Sequence, residues 1–428
     1  MFGQNTNVVI DSEMKTFVFK LKNGEITYDI FDPSLNPLSS DTLYDKGVKI
    51  FSVFIDLQDI IHLVALMNSG ELNYYKYINE KWLKGTIANF DLKSNIYNQI
   101  EILIVDNKLH IIYNYSNLIN SNIWTLQHVV YDKIDGGKRN IIRYLSKRTP
   151  DPFFVDVDSL GTIHLFYKTD LSSISQIYHT FYSSYTNNWV SVPKQISSDD
   201  INNLNPFLFI DLSNNLHGLL LEELNDGYKI KYLRMSSSGK EKYIWKEITL
   251  PYISISNYPP IIFQEDNKLK LLYLSNNRIK YLLSTNYGIS WSIESTIANP
   301  EDDISVVNLT SNLSSKNHKI KHSYFSNVDS PKLNFLDIYP NNIGLSEEIK
   351  AEVIVQEIVE EEIKIDADIL TEINNKIDQL LDNYKTSESF ISMMVSNQVN
   401  TKNILNDIQN SLDENKQSFF ARLFNSPK

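Results

Sequence analysis

The sequence of 428 residues contains no cysteine. Disulfides, thiolate zinc sites, iron–sulfur clusters and cysteine nucleophiles are therefore excluded together, and the fold must rest on packing and hydrogen bonding. Glycine and proline are scarce, at 13 each, so collagen-like and low-complexity classes are excluded as well. No stretch approaches the ~18 consecutive apolar residues of a spanning helix, so no membrane span is expected. The opening residues, Met1 to Lys15, hold neither a basic n-region nor a sustained apolar run. No secretory signal is read there, and the expected location is the cytoplasm. P-loop, dinucleotide-fingerprint, HExxH and GxSxG patterns are all missing, so no cofactor and no metal are expected.

Basic charge is also in short supply, with 40 Lys and Arg against 52 Asp and Glu. Only six of these are arginine: Arg139, Arg143, Arg148, Arg234, Arg278 and Arg422. The first 342 residues hold 36 acidic and 32 basic side chains, so the acidity lies mainly beyond them. Such a balance speaks against a nucleic-acid partner, which needs clustered cations facing phosphates. What is plentiful is apolar and aromatic content, 42% and 12%, enough for a large core.

That content is periodic. A strand opening with Leu or Ile and then His recurs at Ile61-His62-Leu63-Val64, Leu109-His110-Ile111-Ile112, Ile163-His164-Leu165-Phe166 and Leu216-His217-Gly218-Leu219, with His spaced by 48, 54 and 53. Two further copies carry Lys in the same place, at Lys270 and Lys321, and an opening copy lies around Thr16-Phe17-Val18-Phe19. Before each such strand runs another apolar one that ends in an acidic or Asn turn, such as Phe54-Ile55-Asp56, Ile104-Val105-Asp106 and Phe209-Ile210-Asp211. These side chains bond nearby amides and favour tight reversal, so each copy begins as a hairpin. Tyr-rich third strands follow, as at Leu72-Asn73-Tyr74-Tyr75 and Ile230-Lys231-Tyr232-Leu233, and Trp82, Trp189, Trp245 and Trp291 mark a fourth, outer strand.

Four antiparallel strands recurring about every fifty residues predict the blades of a β-propeller. Seven copies imply seven blades, or six if the two end fragments combine. Residues 1–12 are expected to close the ring by pairing near 320–340.

The repeat resembles the BNR or Asp-box repeat of sialidase-like β-propellers. Asp158-Ser159-Leu160-Gly161-Thr162-Ile163-His164-Leu165-Phe166-Tyr167 and the box Ser284-Thr285-Asn286-Tyr287-Gly288-Ile289-Ser290-Trp291 carry the resemblance, with Asn286 where the family has Asp. It implies the repeat architecture of residues 1–340. Sialidases of that family hold a carboxylate with three Arg and use a Tyr activated by Glu, plus an Asp acid; here no Arg precedes Arg139, and Arg139, Arg143 and Arg148 fall in one blade. No catalytic residue is nominated, and the chain is expected not to be an enzyme. The repeated His read as inter-blade packing and hydrogen-bonding groups rather than ligands, and most Tyr as core. Asn308-Leu309-Thr310 matches a glycosylation acceptor, read as chance.

The composition changes beyond Gly344, after which no Gly or Pro occurs until Pro427. Residues 343–366 form an acidic linker, alternating Val or Ile with Glu. From Asp368 a helical period sets in through Leu370, Ile373, Ile377, Leu380, Tyr384, Ile391, Met394, Leu405, Ile408 and Leu412. A stripe this narrow needs a neighbouring helix, which predicts a coiled-coil-like oligomerisation tail over 367–428 with the chain itself as partner. Phe419, Phe420, Leu423 and Phe424 form a terminal docking cluster.

These features predict a mainly β propeller over 1–342 joined to an α-helical tail. The expected function is non-enzymatic recognition, with a protein or glycan ligand on one propeller face at a site the sequence does not single out. Two alternatives stand beside it: a divergent sialidase-like glycoside hydrolase, and a structural component of a larger bacterial or phage assembly.

Overall fold

Two kinds of turn begin the blades, and both follow from side chains at the end of the first strand. In one, an Asp heads a longer reversal: Asp56 accepts the amides of Gln58 and Ile60 at 2.9 and 3.0 Å, and Asp211 those of Ser213 and Asn215 at 2.9 and 2.8 Å. In the other, two residues take left-handed dihedrals, Asp106-Asn107 at φ +49 and +59° and Asp266-Asn267 at +46 and +63°. Asn and Asp tolerate that region, and it matches the twist of the strands they join.

The computed structural model describes residues 2–326, except 44–45, 132–136, 172–173, 226, 241, 254, 277 and 299–303. The chain divides into two units, Met1–Ile349 and Lys350–Lys428, and the second lies wholly outside the described residues.

Among the described residues there is no α-helix, and the strands form a six-bladed β-propeller. Blade one holds β1 (Phe2–Ile10), β2 (Thr16–Lys22), β3 (Glu25–Phe31) and β4 (Pro37–Thr42). Blade two holds β5 (Val48–Ile55), β6 (Ile61–Met67), β7 (Glu71–Ile78) and β8 (Lys81–Asn89). Blade three holds β9 (Asn95–Val105), β10 (Lys108–Asn117), β11 (Ile123–Tyr131) and β12 (Lys138–Leu145). Blade four holds β13 (Phe154–Val157), β14 (Ile163–Leu171), β15 (Ile174–Ser183), β16 (Asn188–Trp189) and β17 (Lys194–Gln195). Blade five holds β18 (Asn202–Ile210), β19 (Leu216–Leu224), β20 (Gly227–Met235) and β21 (Trp245–Glu247). Blade six holds β22 (Ile261–Glu265), β23 (Lys268–Ser275), β24 (Arg278–Ser284) and β25 (Ser292–Ala298). Two strands remain, β26 (Ile304–Ser311) and β27 (His322–Ser326).

Burial falls from the inside outward. All seven residues of β6 are buried, whereas all six of β4 are exposed. Inner strands need apolar side chains on both faces because a neighbouring blade covers each one. The contacts are direct: Phe17 and Phe19 of blade one share a cluster with Phe51, Val53 and Leu63 of blade two.

Six blades, rather than the seven expected first, follow from what the last copy does. Its first strand, β26, pairs in parallel with β1 from Asn7↔Asn308 to Ile10↔Ser311, and β27 pairs antiparallel on its far side. The copy extends the sheet of blade one to six strands instead of making a sheet of its own. Closure runs through 304–311, earlier than the expected 320–340. Its end is pinned where Asp59 of blade two accepts from the Ser12 amide at 3.0 Å and from Asn312 at 2.7 Å.

Candidate functional site

The histidines of the second strands face partners within and between blades. His62 contacts Asp56 at 2.9 Å through Nε2 and the Tyr74 hydroxyl at 2.6 Å through Nδ1. A carboxylate only accepts, so Nε2 carries the proton and Nδ1 accepts from the tyrosine. His217 repeats the arrangement with Asp211 at 3.1 Å and Tyr232 at 2.7 Å. Burial pushes both imidazoles down, against the pull of the carboxylates, and keeps them neutral.

Blades three and four carry His128 and His179 on the third strand where blades two and five carry Tyr74 and Tyr232, so the Nδ1 of His110 meets an imidazole rather than a hydroxyl. Trp189 Nε1 donates to His128 Nδ1 at 3.1 Å, which leaves His128 Nε2 as donor to His110 Nδ1 at 3.0 Å. The same order runs through Trp245, His179 and His164, at 3.1 Å for each bond. Burial lowers His110 to about 4 and His128 to about 3. In each relay the tryptophan comes from the following blade, so the repeated histidines act as links between blades. Among the described residues no group of three or more His, Cys, Asp or Glu is placed to hold a metal.

The box Ser284 to Trp291 is a turn of the same structural kind. Ser284 Oγ accepts the Gly288 amide at 2.9 Å, and Asn286 Oδ1 accepts that of Ser290 at 3.0 Å. Gly288 sits at φ +80°, where an added Cβ would lie 2.0 Å from the Tyr232 hydroxyl. Trp291 meets the Tyr232 ring edge-on at 5.2 Å.

The axis of the ring is filled by β26 and β27. The His322 ring packs against Phe154 and Phe207, each at 5.1 Å, and Tyr324 donates to the Pro259 carbonyl at 2.8 Å. Lys319 and Gln264 exchange backbone hydrogen bonds at 2.9 Å each. Carboxylates from two blades do reach this region, yet both are held by neighbours. Glu101 accepts from Gln99 at 3.0 Å, Asn308 at 3.1 Å and Ser52 at 3.3 Å. Asp156 accepts from the Ile210 amide at 2.8 Å and pairs with Lys319 at 3.1 Å. Burial pushes Glu101 up and Lys321 down from their ordinary values. Cavities of ≈ 40 and 20 Å³ flank the hairpin, the scale of a water or two and not of a sugar ring. Asn308, the glycosylation match, is spent on Glu101 inside this network.

A larger space of ≈ 360 Å³ opens between β20, β21 and the crossover 248–255 that leads to blade six. It is of the size that takes a small ligand. Tyr228 forms a lone bridge to Ile255, which arches the crossover over β20. Ile230, Leu250 and Ile255 supply an apolar floor, while Tyr228, Glu247, Thr249 and Tyr252 bring rings and polar groups to its walls. Tyr252 is 96% exposed, and the Glu247 carboxylate, half exposed, lies 3.3 Å from Lys231. Sequence reasoning missed this site. Its one signal is the run Leu250-Pro251-Tyr252-Ile253, unusually apolar for a connection between blades.

Arg139 and Arg143 lie on β12, Arg148 just beyond it and Arg278 on β24, all exposed. Arg234 is held by the Tyr287 carbonyl at 2.6 Å and by Asn215 at 2.9 Å. None of these five lines the axial cavities. The stripe from Leu370 to Leu412, the cluster Phe419 to Phe424 and Arg422 fall outside the described residues.

No family model matches the chain, and no curated protein matches it. Solved structures do. The fucose-specific lectin from Aleuria aurantia is 11% identical with a TM-score of 0.40, over 69% of this chain and 96% of that one. A thermostable family-43 glycoside hydrolase is 16% identical with a TM-score of 0.34, over 60% and 97%. The endo-arabinase from Bacteroides thetaiotaomicron is 15% identical with a TM-score of 0.31, over 58% and 92%.

Proposed function

We propose that the protein is a non-enzymatic recognition module whose propeller binds a glycan in the space beneath the 248–255 crossover. One observation carries this reading: a ≈ 360 Å³ opening that joins an apolar floor to Tyr228, Tyr252 and a half-exposed Glu247. A sugar has apolar C–H faces and a rim of hydroxyls, so it matches an aromatic wall beside a carboxylate. Binding is favoured over hydrolysis because Glu101 and Asp156, two carboxylates that reach the axial region, are engaged by the β26–β27 hairpin. A glycosidase needs a pair of carboxyl groups with the substrate between them.

The test is a glycan array followed by calorimetry on the best ligand. Tyr252→Ala and Glu247→Gln are each expected to weaken binding by about 1–3 kcal/mol while leaving the melting temperature unchanged. An array without a ligand, or equal affinity of both variants, sinks the reading. The second half of the proposal is that the tail joins copies and raises avidity. Ile377→Asp with Leu380→Asp is expected to give monomers in light scattering; a persisting oligomer removes that role.

A further inference from the structure

Cationic charge is unevenly placed on this acidic chain. Positions 81–148 carry ten Lys and Arg against five Asp and Glu, whereas the rest of the first 342 carry 22 against 31. The excess peaks at Lys138, Arg139, Arg143, Lys147 and Arg148, with no acidic residue between Gly137 and Pro150. All five are exposed. Among the described residues none of them forms an ion pair, and Arg139 donates only to the neutral Asn188, at 3.1 Å.

Three of the five stand on a sheet edge. β12 is the outermost strand of blade three and forms a backbone ladder with β11 alone, so its other edge has no strand partner; at its end the Leu145 carbonyl accepts from Thr169 Oγ1 of blade four at 3.0 Å. Other outer strands differ in length or composition: β16 and β17 have two residues each, β21 has three, β4 carries Pro37 and Asp41, β25 carries Glu294, and β8, though nine residues long, is interrupted by Gly85. β12 runs for eight residues with no Pro, Gly or acid. Charge on an edge also repels unwanted strands, but repulsion of a basic strand is attraction of an acidic one. A bulge adds a second feature. Arg139 pairs with His128 and Arg143 with Thr125, three residues apart on β11, so the two guanidinium groups leave opposite faces of the sheet.

We infer that the open edge of β12 docks an acidic, extended peptide segment of a partner protein. The segment adds to blade three as a fifth strand, with carboxylates meeting Arg139 on one face and Arg143 on the other. A peptide is favoured over a polysaccharide or nucleic acid because only a peptide backbone offers the alternating donors and acceptors that an open edge lacks. Arginine suits the task, since its planar fork matches a carboxylate.

The experiment uses the full chain and a fluorescent peptide of alternating Glu and Val, followed by anisotropy at low and physiological salt. The expected result is saturable binding that salt weakens. Arg139→Glu with Arg143→Glu is expected to reduce affinity by roughly tenfold or more. A peptide N-methylated at alternate amides is expected not to bind, and Tyr252→Ala to bind as wild type does, which separates this edge from the glycan site. If the double reversal lowers the melting temperature, Arg143→Gln alone reads the same loss. Absence of saturable binding at low salt overturns the inference. So does equal binding of the N-methylated peptide, or displacement by a heparin oligosaccharide at lower concentration, since either describes general attraction of polyanions.

Discussion

The indole of Trp245, on the outer strand of blade five, donates to Nδ1 of His179 in blade four at 3.1 Å. That single bond fixes the tautomer of His179 and, through it, that of His164. A buried histidine nitrogen that loses its donor keeps the full desolvation penalty of an unpaired polar group.

Trp245→Phe is therefore expected to destabilise the protein by about 1–3 kcal/mol beyond its lost packing. Trp82→Phe is the control, because the Trp82 indole packs on Phe19 and Tyr28 with its N–H unpartnered. Urea denaturation of both variants compares them. Equal losses would mean that the relay bond adds nothing to the aromatic contact.

The buried pair of His110 and His128 also predicts an acid limit on stability. Unfolded histidine takes up a proton near 6.5, whereas burial holds His110 at about 4 and His128 at about 3. Between those values the unfolded chain binds more protons, so stability falls as the pH drops from about 6.5 towards about 4, by on the order of a few kcal/mol. The carboxyls of Asp158 and Asp211 are opposed by burial but held below their ordinary value by their histidines, so their contribution is lost only at lower pH. Denaturation midpoints measured at steps from pH 7.5 to 4.5 check this; a flat profile above pH 5 contradicts it.

Much of the ring was legible because its signals are local. The Asp before each turn, the His or Lys of the second strand and the late Trp all act within one blade or across one boundary, so their spacing survives in the sequence. Blade number was legible only as a choice between seven and six, and the six-blade alternative, in which the two end fragments combine, is the one found. β26 has the same apolar character as any first strand, and nothing in Val306 to Thr310 states that it pairs in parallel with Val8 to Ile10 some 300 residues away. The axial network was hidden for the same reason, since Glu101 meets Asn308 and Asp156 meets Lys319 only once the hairpin enters the channel. The crossover site required knowing that residues 248–255 arch back over Tyr228.

Gly288 shows how a turn residue becomes a packing residue. At φ +80° any side chain is strained, and a Cβ there would fall 2.0 Å from the Tyr232 hydroxyl of the preceding blade. Gly239, at φ +82°, has nothing within 4 Å. Gly239→Ala is expected to lose about 1 kcal/mol through backbone strain alone, and Gly288→Ala several times as much. Thermal melting of the two alanine variants decides whether the space above Gly288 matters, and similar melting temperatures would say that it does not.

At the axis, Lys319 is the cation that compensates Asp156, whose residue is 1% exposed. Its Nζ also sits 5.6 Å from the Phe209 ring, so a long apolar side chain fits the place. Lys319→Met removes the charge and leaves a buried carboxylate unpaired, for an expected loss of about 3–5 kcal/mol. Asp156→Asn in the same chain removes the stranded charge while an amide oxygen still accepts the Ile210 amide. The double variant should then be more stable than Lys319→Met alone, a coupling that denaturation of all four chains measures. If the second change deepens the loss instead, Asp156 is held by its backbone contacts, and the hairpin fills the channel without an electrostatic anchor.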